Sequence, residues 1–173
     1  MARFLHPQDI FTVSKFDKAI LAFLWTFGLG FGAVVFESTG SYLISQIPLA
    51  AKVQPSLFGL LVTASLPFWF SAFLVYLAWP RGLYGLCFIK AFLFAYISQA
   101  VFQGFDSAGW LIRWLLLFTD ICGSAVLYRY WHHHIAGARA FRWRSFLIGQ
   151  TALGIIACTD FCIISPLLRR CLF

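Results

Sequence analysis

The feature that most constrains the fold is a series of apolar runs, each long enough to cross a lipid bilayer as a helix. The runs cover residues 19–36, 56–79, 82–103, 108–131 and 145–168. None alternates apolar and polar residues as a membrane β-barrel does, and a backbone in lipid must find its hydrogen bonds within the chain. Hydrophobic residues make up 61% of the chain, above the roughly 45–50% of soluble domains. The sequence therefore predicts an all-α polytopic membrane bundle of about five transmembrane helices.

The segments around the first run mix polar and apolar residues. Residues 1–18 combine charged side chains with bulky apolar ones, which predicts an interfacial N-terminal segment on the membrane surface. Residues 37–55 have the same mixed character, so we expect them to lie in the interface and to offer the main surface to outside partners. Residues 171–173 form a short tail after the five-helix domain of residues 19–170.

Charged residues inside the runs are the first functional candidates. Lys90 interrupts the third run, and Arg113 and Asp120 interrupt the fourth. A charge at the centre of a membrane helix costs about 2.5 to 3.5 kcal/mol, so it normally faces a partner or a wet cavity. Antiparallel third and fourth helices would place Lys90 and Asp120 at similar depth, which permits an ion pair with Arg113 further outward.

A second interpretation of these charges is open. The long side chains of Lys90 and Arg113 can extend to the membrane surface, whereas the short side chain of Asp120 cannot, so Asp120 must be protonated, paired or hydrated. Asp160, in the fifth run, lies nearer a helix end. For Asp160, pairing with Arg169 or Arg170 and a functional role are both open.

Three residues predict features of helix packing and shape. Gly28 and Gly32 form a GxxxG motif, which lets a neighbouring helix approach closely. No strand precedes the glycines and no polar helix start follows them, so they do not indicate a nucleotide site. Pro67 lies in the middle of the second run and predicts a kink, or a break into two half-helices, near Ala64 to Pro67.

The sequence indicates no catalytic, cofactor or metal site. The five cysteines mostly lie in apolar runs, where thiols act as small hydrophobes. His132, His133 and His134 point in different directions on a helix, so we expect them to be solvated at the membrane interface and not to form one metal cluster. Protease, hydrolase and redox motifs are absent from the sequence.

Basic residues set the expected orientation and explain the net charge of +7 without a nucleic-acid partner. With five spans, one side of the membrane holds the larger group of basic residues. That group comprises Arg3, Lys15, Lys18, Arg81, Arg129, Arg139, Arg142 and Arg144, and the other side has Lys52, Arg169 and Arg170. The bias predicts a cytoplasmic N-terminus and an outside C-terminus in a bacterial cytoplasmic membrane.

The succession of these features resembles the stage II sporulation protein M family of bacterial integral membrane proteins. The likeness runs through FGLGFGAVVF in the first run, the mid-run proline of LLVTASLPFWF, and GLYGLCFIKAFLFAY in the third. It continues in GFDSAGWL before the fourth run and in TDFCIISPLL at the end of the fifth. Each motif alone is weak, and their order carries the resemblance.

The resemblance implies a non-catalytic membrane scaffold in sporulation and cell wall remodelling. Its partners would be membrane-anchored or extracytoplasmic proteins such as peptidoglycan hydrolases, beside a possible homo-oligomer. The alternative from the residues themselves is a small transporter or channel subunit that uses the Asp120/Lys90 pair as a proton or cation site.

Overall fold

The computed structural model is a helical bundle, which confirms the predicted all-α class. It describes residues 7–52, 55–77, 79, 81–105, 108–136 and 141–172. The helices are α1 (Pro7–Lys52), α2 (Leu57–Tyr76), α3 (Gly82–Gly104), α4 (Trp110–Leu116), α5 (Phe118–Ala136), α6 (Trp143–Thr159) and α7 (Ser165–Leu172). A π-helical turn, Asp160–Ile164, joins α6 to α7. Residues 1–6, Pro80, Asp106 and Arg139 lie outside the described residues.

Several of these helices are long and apolar enough to cross a membrane. Among the described residues, four helical segments meet this criterion, namely Phe16–Gly40, Leu57–Tyr76, Gly82–Gly104 and Trp143–Cys171. A fifth is formed if α4 and α5, which meet at a 54° bend, count as one span. Large apolar side chains such as Phe58, which is 76% exposed, cover the outside of the bundle, as expected of a surface that faces lipid. The chain is therefore an integral membrane protein.

Helix α1 continues through both boundaries that the sequence suggests at residues 18 and 37. It runs for 46 residues from Pro7 to Lys52 and thus joins the predicted surface segment, the first span and the following connection. The polar residues after Phe36 stay helical, and the hydroxyls of Ser38 and Thr39 each donate back to the Val35 carbonyl at 2.8 Å, which satisfies them within the helix. A change of polarity therefore does not end this helix.

The first and third spans run parallel and pack closely. A β-carbon on Gly28 would lie 2.7 Å from the Phe88 carbonyl oxygen, and one on Gly32 would lie 2.4 Å from that of Phe92. Only hydrogen fits in these two places, so the GxxxG motif lies directly against the backbone of α3. Tyr84 also donates to Asp17 at 2.9 Å near the start of α3, which fixes the register of the two helices.

Helix α2 passes through Pro67 without interruption, so the predicted break into two half-helices does not occur there. The helix starts at Ser56, whose hydroxyl accepts from the Gly59 N–H at 3.0 Å. Next to the proline, the buried Ser71 hydroxyl donates to the Pro67 carbonyl and accepts from the Trp131 indole, both at 2.7 Å. Trp131 of α5 thus contacts α2 one turn beyond the proline, and the helix is continuous on both sides of it.

The main core lies between α1, α2, α3, α5 and α6, with Phe68, Trp131 and Leu153 among its fully buried side chains. A β-carbon on Gly149 would lie 2.4 Å from the Phe68 ring, so α6 approaches α2 closely at this point. The Gln150 amide accepts from Trp69 at 2.8 Å and donates to Ser65 at 2.9 Å, which links the same two helices by polar contacts. These contacts fix the fifth span beside the second.

Candidate functional site

The predicted fourth span consists of two helices that meet at Leu117, inside the part of the chain that the sequence predicts to be one helix. Helix α4 ends at Leu116, α5 starts at Phe118, and the two are bent by 54°. The Ile121 N–H donates to the Leu117 carbonyl at 2.9 Å and opens the hydrogen-bond ladder of α5. The bend therefore places a helix N-terminus, with its partial positive charge, within the bundle.

Asp120 lies in the first turn of α5 and forms an ion pair with Lys90 of α3. The Lys90 side chain is 16% exposed and that of Asp120 is 23% exposed, so lipid and water reach both only in part. The carboxylate also faces the positive end of the α5 dipole, which favours an acidic residue in a first turn. The structure thus brings together the two charges that the sequence placed at equal depth.

The second carboxylate oxygen of Asp120 and one other oxygen on α5 are buried. Asp120 Oδ2 and Ser124 Oγ, one helical turn apart, have no hydrogen-bond partner within the described part of the chain. Ser124 also lines a cavity of about 380 Å³ between α1, α3 and α5. The remaining lining residues are Ala22, Trp25, Thr26, Phe94, Ile121, Ala125 and Tyr128. The ion pair therefore leaves acceptor capacity close to an internal space.

Asp160 lies in the π turn and receives hydrogen bonds from two hydroxyls. Thr119 of α5 donates to Asp160 Oδ2, and Ser165 donates to Oδ1 at 3.4 Å. The wide turn is closed by the Ser165 N–H, which donates to the Asp160 carbonyl five residues earlier. Pro166 follows at once, and a π turn avoids the clash of its ring with the preceding turn.

Thr119 and Asp120, which are adjacent in α5, link the predicted third, fourth and fifth spans. Thr119 reaches the fifth span through Asp160, and Asp120 reaches the third span through Lys90. We call Lys90, Thr119, Asp120, Asp160 and Ser165 the polar centre. Within lipid, such contacts determine which helices pair, because the apolar faces alone do not distinguish one neighbour from another.

Arg113 turns toward the start of α4. Its Nε donates to the Ala108 carbonyl at 3.1 Å, and its guanidinium carbon lies 5.7 Å from the centre of the Phe102 ring. This direction is the one that an arginine takes when its charge extends toward the membrane surface. The pairing of Asp160 with Arg169 or Arg170 stays a prediction.

Thr119, Ser124 and Ser165 were not singled out from the sequence. Thr119 and Asp120 are both helix-start residues, so the pair TD inside an apolar run is a signal for the break that precedes it. Ser124 carries no comparable signal, because a serine in a membrane helix usually bonds to a carbonyl of its own preceding turn.

No group of three metal-ligating side chains occurs among the residues that the structure describes. His134 is fully buried against Tyr130, with ring centres 4.4 Å apart, whereas His133 is exposed. The expectation that all three histidines are solvated at the interface is therefore wrong for His134. All five cysteines are free thiols.

Comparison with known proteins leaves the chain without an assigned family. No family model, curated protein or solved structure matches it. The resemblance to the stage II sporulation protein M family stays a prediction.

Proposed function

We propose that the protein is a non-enzymatic membrane scaffold that recruits partner proteins to a bacterial cytoplasmic membrane. The observation that carries the proposal is the length of α1. Its 46 residues rise about 1.5 Å each and so reach about 69 Å, more than twice the roughly 30 Å of a bilayer core. A helix of this length extends out of the membrane while the rest of the bundle anchors it.

The part of α1 beyond its membrane crossing is the proposed docking element. The crossing ends at Gly40, and residues 41–52 continue as helix for about 18 Å. The distribution of basic residues favours a cytoplasmic N-terminus, which puts residues 41–52 outside the cytoplasm. The resemblance suggests extracytoplasmic peptidoglycan hydrolases as the partners, with a role in sporulation and cell wall remodelling.

In this function the polar centre is structural. The ion pair of Lys90 with Asp120 and the bond of Thr119 to Asp160 hold the third, fourth and fifth spans together. The third span carries α1 against its backbone at Gly28 and Gly32. A bundle that is fixed in this way gives the extension of α1 a stable base.

The test is affinity capture of the full-length protein from its native membrane, with three chains in parallel. These are the wild type, a variant in which residues 41–52 are replaced by a glycine-serine linker of equal length, and Asp120→Asn. The proposal expects cell-wall hydrolases with the wild type, loss of them with the linker, and weaker recovery with Asp120→Asn. Equal recovery of hydrolases by the wild type and the linker variant would exclude α1 as the docking element.

A specific observation favours a second candidate, a small transporter or channel subunit. The predicted fourth span is bent between α4 and α5, and the N-terminus of α5 lies at Asp120, whose Oδ2 is buried and has no hydrogen-bond partner among the described residues. Broken helices with charged residues at the break form the ion and substrate sites of many transporters. Asp120 would then be the proton or cation site and Lys90 its charge partner.

Vesicle experiments separate the two candidates. The transporter predicts proton or cation flux into vesicles that contain the wild type, and loss of that flux in Asp120→Asn although the variant assembles normally. The scaffold predicts no flux in either case and a defect of assembly in the variant. Size-exclusion chromatography of the same preparations reports assembly.

A further inference from the structure

A second cavity, of about 390 Å³, opens between α5 and α6 on the side with more basic residues. It is lined by Val126, Arg129, Tyr130, His133, Ser145, Ile148, Gly149 and Ala152. Its polar and apolar residues are separated along the membrane normal. Arg129, His133 and Ser145 lie toward the ends of α5 and α6 that meet the 137–142 connection, and Val126, Ile148 and Ala152 lie deeper.

The polar end of the cavity is suited to an anion. Arg129 supplies a permanent positive charge and a planar set of donors that matches phosphate. Ser145 lies in the first turn of α6, whose first intrahelical bond runs from the Phe146 N–H to the Arg142 carbonyl at 3.1 Å. The amide groups ahead of that bond, with the positive end of the helix dipole, favour a negative group at this place.

Tyr130 gives an independent indication of a ligand. The residue is 5% exposed, lines the cavity, and its hydroxyl has no hydrogen-bond partner among the described residues. Its ring is fixed by Phe68, at 4.8 Å between ring centres, and by His134 at 4.4 Å. A buried hydroxyl without a partner is costly, so a polar group in the cavity would stabilise the protein.

The apolar end of the cavity is suited to a hydrocarbon chain. Ile148 is 72% exposed although it lies within a membrane crossing, so its side chain faces lipid. A molecule held at Arg129 and Ser145 would continue along Ile148 and Ala152 into the bilayer. A polar end followed by an apolar end matches the headgroup and acyl chain of a phospholipid. A soluble phosphate would occupy only the polar end.

We propose that this cavity binds the phosphate headgroup of an anionic glycerophospholipid, with an acyl chain along Val126, Ile148 and Ala152. Arg129 pairs with the phosphate, the Tyr130 hydroxyl bonds to a headgroup oxygen, and the first turn of α6 supplies further donors. The site is separate from the polar centre and from the docking element of α1. Lipid binding here therefore does not depend on the proposed scaffold function.

The test is native mass spectrometry of the full-length protein in detergent, titrated with phosphatidylglycerol and with phosphatidylcholine of the same chain length. The wild type should bind phosphatidylglycerol more tightly, because the choline cation is repelled by Arg129. Arg129→Gln should weaken phosphatidylglycerol binding about tenfold, since it removes a charge-assisted contact. Tyr130→Phe, which keeps the ring and removes only the hydroxyl, should weaken it about threefold to fivefold.

The matched control is Arg81→Gln, which removes an exposed arginine on the same side of the membrane but outside the cavity. It should leave binding unchanged. Equal binding of the two lipids would overturn the proposal, because the site would then not select an anionic headgroup. An Arg81→Gln effect as large as that of Arg129→Gln would also overturn it, because the binding would then depend on the overall charge of the surface and not on this cavity. Displacement of the lipid by millimolar inorganic phosphate would also overturn it, because the site would then take free phosphate. If Arg129→Gln does not elute as the wild type does, Tyr130→Phe decides the outcome.

Discussion

The two aspartates of the polar centre, both partly buried, are stabilised in different ways. Asp120 forms an ion pair with the Lys90 side chain and lies at the start of a helix within the bundle. Asp160 takes two hydroxyls, from Thr119 and Ser165, and lies in a π turn of an otherwise continuous span. A charged partner and a helix N-terminus both stabilise an ionised carboxylate, and hydroxyl donors do so more weakly. We therefore expect the chain to depend more on the partner of Asp120 than on those of Asp160.

The largest effect should come from Lys90→Met, which removes the cation and leaves Asp120 in the bundle. Breaking a buried ion pair from one side costs about 3 to 5 kcal/mol, because the remaining charge loses its partner; the start of α5 and partial exposure put Asp120 at the lower end of this range. The free energy of unfolding, measured by SDS titration in mixed micelles, should fall by about this amount. A double variant, Lys90→Met with Asp120→Leu, should recover most of the loss. If the double variant is less stable than the single one, the pair is not the source of the effect.

Asp120→Asn should cost less, about 2 kcal/mol in the same titration. The amide keeps the shape and one acceptor for Lys90, and the lysine left behind can extend toward the surface along its own stem. The difference in the loss of unfolding free energy between Asp120→Asn and Lys90→Met measures how much better an unpaired Lys90 reaches the membrane surface than an unpaired Asp120 does. Equal losses would show that Lys90 is held as firmly as Asp120.

Thr119→Val tests the other aspartate and should cost about 1 to 2 kcal/mol. It replaces the hydroxyl with a methyl group of similar volume and leaves Asp160 without its donor from α5. Thr119→Ser is the matched control, because it keeps the hydroxyl. A loss in Thr119→Ser as large as that in Thr119→Val would assign the effect to packing and not to the bond.

Much of this region could be predicted from residue type and spacing, because lipid restricts the possibilities. Lys90 and Asp120 lie at similar depth on neighbouring helices, and few arrangements satisfy both charges there. Gly28 and Gly32 likewise lie where a close helix contact needs them, against Phe88 and Phe92. In each case the predicted feature depends on one strong physical requirement.

The positions at which helices bend, break or end could not be predicted from the sequence in the same way. Pro67 predicted a kink or a break into two half-helices, yet α2 is one helix through this position. Packing against other helices, such as the bond from Trp131 to Ser71, is not visible in the sequence around a proline. The actual break, before Thr119, has no proline. Residues 19–36 predicted a membrane span, and α1 continues as helix beyond that span on both sides, because polarity marks where lipid ends and does not mark where a helix ends.

Ser165→Ala should have the smallest effect, at most about 0.5 kcal/mol. Its hydroxyl lies 3.4 Å from Asp160 Oδ1, which is long for a bond between oxygens, and long bonds contribute little. The backbone N–H of Ser165 closes the π turn and is unchanged by the substitution, so the local fold should persist. The measurement is the same SDS titration, run beside Thr119→Val so that the two hydroxyl partners are compared in one experiment. If Ser165→Ala lowers the free energy of unfolding as much as Thr119→Val does, Asp160 depends on the hydroxyl of its own helix as much as on that of α5. The difference between Asp160 and Asp120 would then come from the backbone geometry around each aspartate and not from their partners.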